Sequence, residues 1–350
     1  MSAVVVFIIF AICLVIAIPI SISLGIVAVL PGAFDASFTA SAGYVIRSMV
    51  GGIDSFPLLA VPMFVLAGIL MAHGKISEKL FDVFVYFLGN KRAGIPCAVI
   101  ITCLFYGAIS GSAPATVAAV GSMTIPLLIE LGYEKDFSTA IVAVAGGLGV
   151  IIPPSIPFIM YAMATGESVS DLFLAGIVPG MMISALLIFY AYYYCRRHGE
   201  DREKIQAKMD QLKTKGFVNI LKESIWALLS PVIVLGCIYT GVASPTEAAV
   251  ISVFYSLFVS LFIYRSIKVK QIWGIMVEAM KTYAPILFIL ATSTAFSRVL
   301  TLMQVPQDVS AWIMTHFSNE IVLLIVINVV LLIVGMVMDT TPAILILSPI

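Results

Sequence analysis

Two stretches of apolar sequence carry the same cluster of helix-breaking residues at a fixed separation along the chain. Gly107–Ala115 has the sequence GAISGSAPA, and Gly335–Ala343 has the sequence GMVMDTTPA, 228 positions later. Pro57 and Pro285 keep the same separation (285 − 57 = 228). Small, hydroxylated and proline residues at equivalent places in two halves of a membrane protein indicate paired discontinuous helices around an ion or substrate site. The pattern therefore predicts an internal repeat in a transporter.

Composition supports a membrane protein. Apolar residues make up 61% of the chain and charged residues 11%, with a mean hydropathy of +1.12. Ordinary globular domains are about 45–50% apolar and about 25% charged. Because the formal net charge is zero, overall charge gives no indication of a nucleic-acid partner. We expect an all-α polytopic membrane protein.

Basic residues are concentrated in a few stretches, which sets the expected orientation in the membrane. The stretches 75–92, 196–222 and 265–281, together with Lys135, hold 17 of the 19 Lys and Arg residues. Cytoplasmic loops carry the excess of positive charge, so these stretches are expected inside and the N-terminus outside. The apolar stretch 93–128 then begins and ends inside, which predicts a re-entrant hairpin. Its repeat partner, starting at 321, begins outside, so the two halves are expected to be inverted repeats.

The repeat divides the chain into three parts. We expect a first inverted repeat at 1–195, a cytoplasmic basic linker at 196–224 and a second repeat at 225–350. The double proline Pro153-Pro154 interrupts an apolar stretch of the first repeat. Its equivalent in the second repeat would fall beyond residue 350, so the second repeat is expected to be incomplete. Within the linker, residues 200–222 are charged and amphipathic; a solvated linker and a surface for anionic membrane lipid are both open interpretations.

The two breaks supply candidate ligands for a coupling ion. Unwound backbone at membrane depth exposes carbonyl and N–H groups, and it persists only where it lines protein or a wet cavity. Such a break offers a small cation a cage of carbonyl and hydroxyl oxygens. The candidate metal ligands are Ser110, Gly111, Ser112 and Thr116 in the first half, and Asp339, Thr340 and Thr341 in the second.

Asp339 is the strongest single candidate among these residues. A carboxylate inside an apolar segment costs a few kcal/mol on insertion scales and usually has a partner. A sodium ion is the expected partner, a proton is the main rival, and an N-cap role for the following helix is the structural alternative.

Candidate substrate contacts are the double-proline break at Pro153, Pro154 and Ser155, and Arg298 near the outer end of a span. Half-helix N-termini beside such a break can hold a carboxylate. Arg298 is either a carboxylate-binding group or a snorkelling interface residue.

Several motifs in the right order resemble the large membrane subunit of TRAP (tripartite ATP-independent periplasmic) transporters. They are Gly52–Pro62, Gly107–Thr116, Gly149–Ser155, Ala175–Gly180 and Asp339–Pro342. The resemblance implies a bacterial inner-membrane permease that works by an elevator mechanism with a small four-helix membrane subunit. It implies sodium-driven uptake of an organic acid delivered by a periplasmic binding protein. By motif, one sodium site falls on Ser110, Ser112 and Thr116, and another on Asp339 and Thr340.

Other functions remain as alternatives. A stand-alone sodium/dicarboxylate symporter has a similar architecture and needs no binding protein. An intramembrane aspartyl protease would use Asp54 and Asp339 as an acid–base pair, but neither has the sequence context for it, so we expect no catalytic residue and no enzyme activity. The substrate, whether a C4-dicarboxylate, a sialic acid or another acid, is not indicated by any cluster of basic residues at membrane depth.

Overall fold

The computed structural model describes residues 2–35, 38–214, 216–316, 319–338 and 340–348, and in these residues the chain is almost entirely helical. The first nine helices are α1 (Ala3–Val15), α2 (Ile20–Phe34), α3 (Ala42–Ile53), α4 (Ala60–His73), α5 (Ile76–Leu88), α6 (Gly94–Ser110), α7 (Ala113–Glu130), α8 (Lys135–Gly146) and α9 (Ile156–Thr165). The others are α10 (Val169–His198), α11 (Arg202–Thr214), α12 (Phe217–Tyr239), α13 (Pro245–Phe258), α14 (Val269–Leu302), α15 (Val305–His316), α16 (Glu320–Val337) and α17 (Thr340–Leu347).

Six of the described helical segments are long and apolar enough to cross a membrane. They are Phe56–His73, Ala113–Glu130, Val169–His198, Val218–Tyr239, Pro245–Ile263 and Val269–Leu302. A span needs about 20 predominantly apolar residues, which these segments provide. The expectation of an all-α polytopic membrane protein is therefore confirmed at this level.

Helix bounds recur at the 228-residue separation found in the sequence. Adding 228 to α2 gives 248–262, where α13 and a following π-helical turn, Val259–Ile263, lie. The same shift carries α5 onto α15, α6 onto α16 and the start of α7 onto the start of α17, each to within three residues. These four elements of the first half thus recur in the same order in the second.

One pair of equivalent segments differs in local structure. Residues 42–73 contain α3, a break at Asp54, a 3-10 turn at Phe56–Leu59 and then α4, whereas residues 270–301 lie within the single helix α14. Asp54 lies three residues before Pro57, whereas Thr282-Tyr283-Ala284 precede Pro285. Pro285 is accommodated inside α14, as prolines are in transmembrane helices where neighbouring groups satisfy the freed backbone groups. Pro57 and Pro285 therefore occupy equivalent positions in different local structures.

Contacts within the chain define two compact units, which cut across the sequence repeat. The first comprises Met1–Leu58, Ile159–Glu167 and Thr282–Ile350, and the second comprises Leu59–Phe158 and Ser168–Lys281. Each unit therefore combines helices from both halves of the chain. The predicted division at 195 and 224 follows sequence equivalence and stays a prediction about the repeats.

The core of the first unit lies between α2 and the C-terminal part of α14. Leu24, Val27 and Ala28 of α2 share a buried cluster with Phe296 and Val299 of α14, and each is at most 1% exposed. Small residues let the helices approach closely: a side chain on Gly52 of α3 would begin 2.7 Å from Cβ of Thr294. This packing joins the start of the chain to the second half.

The second unit contains the larger core, built around α6. Most residues of α6 are buried, including Ile95, Ile100 and Tyr106. Helix α6 packs against α4, α5, α7, α8 and α10, and α4 in turn packs against α13, whose Ser252 and Ser256 are fully buried. Small side chains at helix interfaces allow the close approach on which van der Waals packing in a membrane depends.

Candidate functional site

The predicted hairpin break is a sharp turn between α6 and α7. Helix α6 ends at Ser110 because Gly111 adopts a left-handed conformation with φ of 62°, which glycine enters without steric cost. Ser112 is extended, and its side chain accepts a weak bond from the N–H of Ala115 at 3.5 Å, which caps α7. Pro114 lies in the first turn of α7, where its missing N–H costs nothing.

Three oxygen atoms from this turn form a small triangle. Thr116 Oγ1 donates to the carbonyl oxygen of Ser112 at 2.8 Å, and Ser110 Oγ lies 3.1 Å from Thr116 Oγ1. Ser110 Oγ lies 3.4 Å from the carbonyl oxygen of Ser112. Ser110 and Thr116 are 1% and 0% exposed. The structure thus brings three of the predicted ligand residues together, with two hydroxyl oxygens and one carbonyl oxygen facing one another.

Two glycines outside the predicted site allow a second broken segment to touch the triangle. A side chain on Gly149 would begin 2.4 Å from Thr116 Oγ1 and 2.9 Å from the carbonyl oxygen of Ser112. A side chain on Gly107 would begin 2.6 Å from Cα of Gly149. Neither position has room for a methyl group. Gly149 was not predicted as a site residue; the signal available in the sequence was the set of glycines at 146, 147 and 149 within an apolar stretch.

The segment around the double proline closes over the hairpin turn. After α8 the chain makes a 3-10 turn, Gly147–Val150, and α9 starts at Ile156. The N–H of Ile156 donates to the carbonyl oxygen of Gly111 at 3.2 Å, and a side chain on Gly111 would begin 3.0 Å from the carbonyl oxygen of Pro154. The two breaks predicted separately from the sequence, at 110–112 and 153–155, therefore meet.

Pro153, Pro154 and Ser155 are all buried at this junction. Ser155 Oγ donates to the carbonyl oxygen of Val150 at 2.6 Å and accepts from the N–H of Phe158 at 3.3 Å. Its hydroxyl thus holds the loop in shape. The proposed contact of these residues with substrate stays a prediction.

Helix α4 supports the hairpin turn from another side. A side chain on Gly68 would begin 3.1 Å from Cβ of Ser110, so the two helices are in close contact there. Tyr106, which is 1% exposed, donates its hydroxyl to the carbonyl oxygen of Gly68 at 2.9 Å. A buried hydrogen bond of this kind fixes the end of α6 relative to α4.

Helix ends give the junction a mixed electrostatic character without charged side chains. Helix α6 ends at Ser110, so its C-terminal carbonyl groups, the negative end of the helix dipole, favour a cation. Helices α7 and α9 begin there, and their N-terminal N–H groups favour an anion. Among the described residues, no group of three or more His, Cys, Asp or Glu side chains could hold a metal ion. The atoms at the junction that could coordinate a metal ion are neutral oxygens, which suit hard cations.

The second predicted ion site lies in the other compact unit. Asp339 is outside the described residues. Thr340 begins α17 and is exposed, whereas Thr341 is 7% exposed. Helix α16 ends at Val337 and α17 begins at Thr340. Binding of a cation by this set stays a prediction.

Arg298 lies in α14 and is exposed. A side chain on Gly51 of α3 would begin 3.7 Å from Nη1 of Arg298, so the guanidinium group lies beside a position of α3 that has no side chain. Asp54, the other aspartate of the protease alternative, is exposed at the C-terminal end of α3. That position does not provide the shielded acid pair that proteolysis in a membrane requires.

A multi-pass helical protein in which two broken segments meet over backbone and hydroxyl oxygens has the architecture of a secondary transporter. Residues 7–350 match the family described as tripartite ATP-independent periplasmic transporter, DctM component. The chain belongs to this family of transporter large components, as the resemblance noted from its motifs predicted.

Three relatives illustrate the match. The chain is 41% identical over 341 residues to the isethionate TRAP transporter permease protein DctMQ of Oleidesulfovibrio alaskensis, covering 97% of this chain and 53% of that protein. It is 38% identical over 297 residues to the C4-dicarboxylate TRAP transporter large permease protein DctM of Pseudomonas aeruginosa, covering 85% and 68%. It is 37% identical over 304 residues to the 2,3-diketo-L-gulonate TRAP transporter large permease protein YiaN of Escherichia coli, covering 87% and 70%. The chain thus spans about half the length of the first of these relatives.

The close approach at Gly149 can be tested by substitution. We expect Gly149→Ala to lower the unfolding midpoint of the detergent-purified protein, by an amount equivalent to about 1–3 kcal/mol, because the methyl group overlaps Thr116 Oγ1. Gly147→Ala is the matched control, since no atom lies within 4 Å of its added methyl group. Equal unfolding midpoints for the two variants would contradict the packing described here.

Proposed function

We propose that the chain is the large permease subunit of a sodium-coupled uptake system for an organic acid. The observation that carries this proposal is the oxygen triangle of Ser110, Ser112 and Thr116, with edges of 2.8, 3.1 and 3.4 Å. Hydroxyl and carbonyl oxygens at this spacing are suited to share one hard cation. Family membership supports the transport function.

Sodium fits the triangle better than a proton does. A proton-coupled site needs a group that titrates, and the described residues of the hairpin turn, 107–116, contain only apolar, glycine and hydroxyl side chains. Neutral oxygens bind a monovalent cation without taking up or releasing protons. The C-terminal end of α6 adds a favourable field for positive charge. Asp339, with Thr340 and Thr341, is proposed as the second sodium site on the basis of its equivalent position in the repeat.

The proposed substrate is a small organic anion. The relatives are named for isethionate, C4-dicarboxylates and 2,3-diketo-L-gulonate, all of which are acids. The N-terminal ends of α7 and α9, beside Pro153, Pro154 and Ser155, offer N–H groups for an anion. Arg298 is proposed as a further contact, since a guanidinium group pairs with a carboxylate or sulfonate through two parallel hydrogen bonds.

A cation site next to an anion site makes coupling physically reasonable. A sodium ion bound at the C-terminal end of α6 adds positive charge close to the N–H groups that would hold the anion. Each ligand therefore strengthens binding of the other. Each sodium ion entering down a potential of about 100 mV releases roughly 2.3 kcal/mol. Two such ions would concentrate an anion without ATP.

The proposed partners and location follow from the family's description as tripartite and periplasmic. They are a small four-helix membrane subunit and a periplasmic substrate-binding protein. We place the chain in the bacterial inner membrane with the N-terminus in the periplasm, because 17 of its 19 basic residues then face the cytoplasm. The inverted arrangement of the two repeats and an elevator movement of the hairpins complete the proposal.

Transport in proteoliposomes tests the proposed function. The intact permease, its membrane partner and the binding protein should take up isethionate or a C4-dicarboxylate only when sodium is higher outside, and potassium should not replace sodium. For isethionate, a negative internal potential should raise the rate, because two sodium ions entering with one singly charged anion carry net positive charge. Equal uptake without a sodium gradient would contradict coupling. Uptake that does not need the binding protein would favour the stand-alone symporter instead.

Substitution of Arg298 tests its proposed contact with the acid. We expect Arg298→Gln to raise the half-saturating substrate concentration by about tenfold, because the two charge-assisted hydrogen bonds from the guanidinium group to the acid are lost. Arg298→Lys should recover only part of this effect, since an ammonium group lacks the fork geometry. Arg47→Gln removes a positive charge from another exposed position of the first unit and serves as the control. If both glutamine variants behave alike, Arg298 has no specific role in binding.

A further inference from the structure

A nearly buried carboxylate lies outside the oxygen triangle, where the linker leaves α10. The side chain of Glu200 is only 2% exposed. Its Oε1 accepts from the N–H of Ala93 at 3.0 Å and from the hydroxyl of Tyr133 at 2.7 Å, and its Oε2 pairs with Nη2 of Arg202 at 2.8 Å. A buried charge is costly unless it is paired and hydrogen-bonded, and Glu200 meets both conditions.

These contacts fall on the open end of the hairpin. Ala93 immediately precedes α6. Tyr133 lies three residues after Glu130, the last residue of α7. One carboxylate oxygen therefore ties together the start and the end of the hairpin whose turn carries the oxygen triangle. Arg202 adds a contact to the same corner through the carbonyl oxygen of Asn90, at 3.3 Å.

A second tyrosine–glutamate hydrogen bond joins the same two segments, the one that follows α7 and the one at the end of α10. In this bond the tyrosine belongs to α10 and the glutamate to the segment after α7. Tyr194 of α10 donates its hydroxyl to Oε2 of Glu134, the neighbour of Tyr133, at 2.6 Å. The Tyr194 ring stacks on Phe137, with centroids 3.9 Å apart and planes 2° apart, and on His198 on its other side at 4.1 Å. The two reciprocal bonds, Tyr133 to Glu200 and Tyr194 to Glu134, are called the tyrosine–glutamate clamp below.

The clamp continues into a docked helix. Ile205, Met209 and Leu212 of α11 are at most 6% exposed and belong to the core cluster of the second unit. A side chain on Gly89 would begin 2.3 Å from Sδ of Met209. The segment after α10 is therefore packed against the protein along its apolar side, which differs from the solvated linker expected as one interpretation of the sequence. The charged side chains that motivated that interpretation lie on its other side.

We propose that Glu200 and Tyr133 are positioning residues, which fix the open end of the hairpin so that the oxygens at its turn hold their spacing. This inference rests on the proposed sodium site. Helix α6 has 17 residues and is about 25 Å long, so a small change of angle at its start becomes a displacement of an ångström or more at Ser110. The hydroxyl bonds at the turn are short-range and cannot correct such a displacement.

The effect on sodium binding distinguishes positioning from a general structural role. A looser hairpin must be ordered when the ion binds, which raises the half-saturating sodium concentration and leaves the number of sites per molecule unchanged. A variant that merely misfolds in part loses sites, while the remaining molecules bind with unchanged affinity. Binding of radioactive sodium alone to the intact permease in nanodiscs provides both quantities.

The variants follow from the contacts of the two carboxylate oxygens. We expect Glu200→Ala to raise the half-saturating sodium concentration by about tenfold, and Tyr133→Phe to raise it by a smaller factor. Glu200→Gln should stay within about twofold of wild type, because its amide oxygen still accepts from Ala93 and Tyr133 while Arg202, 47% exposed, can turn to water. Tyr255→Phe is the matched control, since it removes a hydroxyl bond to the carbonyl oxygen of Trp226, away from the hairpin.

Hydrogen–deuterium exchange gives a measurement that does not depend on sodium. Faster exchange in peptides covering 88–100 and also 107–117 for Glu200→Ala, with α12 and α13 unchanged, supports positioning of the turn by the clamp. Exchange that rises evenly along the chain, or only at 88–100, overturns it, as does an equal effect of Tyr255→Phe. If wild type binds no sodium, the proposed ion site is wrong, and the exchange pattern alone decides whether the clamp controls the turn.

Discussion

The need to satisfy backbone groups at a helix break in apolar surroundings governs the second compact unit. Breaking α6 from α7 at Gly111 frees carbonyl and N–H groups that lipid cannot pair, so other protein groups must be brought to them. The hydroxyl of Thr116 donates a hydrogen bond to the carbonyl oxygen of Ser112, and the N–H of Ile156 donates one to the carbonyl oxygen of Gly111. The second interaction requires another broken segment at the same place. One break thus explains the position of the other.

Close approach of the two backbones places the oxygens of these hydrogen bonds at distances suited to share one ion. Gly107 and Gly149 let the two broken segments touch, which sets two hydroxyl oxygens and a carbonyl oxygen within 3.4 Å of one another. In the proposed mechanism the hydrogen bonds among these oxygens are exchanged for bonds to sodium, so the empty and filled states differ little in structure. Packing of Gly68 and Gly149 against the turn keeps these oxygens close together, and the open end of the hairpin is held by the paired carboxylate of Glu200.

The sequence was informative about helix breaks and much less so about contacts between distant segments. The spacing of glycine, serine and proline predicted the turn at 110–112 and the interruption at 153–155, because these residues favour particular local backbone conformations. Gly149 and Glu200 were missed, since their roles arise from segments that meet only in the folded chain. Proline alone was a weaker signal, since Pro285 lies inside the continuous helix α14. Asp339, the leading candidate from the sequence, lies outside the described residues.

Equilibrium binding of radioactive sodium to the intact permease, comparing wild type with Thr116→Val, tests the central claim most directly. Valine matches the shape of threonine but removes the hydroxyl that forms two edges of the oxygen triangle. The account predicts saturable sodium binding in wild type, little competition from potassium, and the loss of one class of site in the variant with the fold retained. Sodium binding that is unchanged in Thr116→Val would contradict an ion site at the hairpin turn.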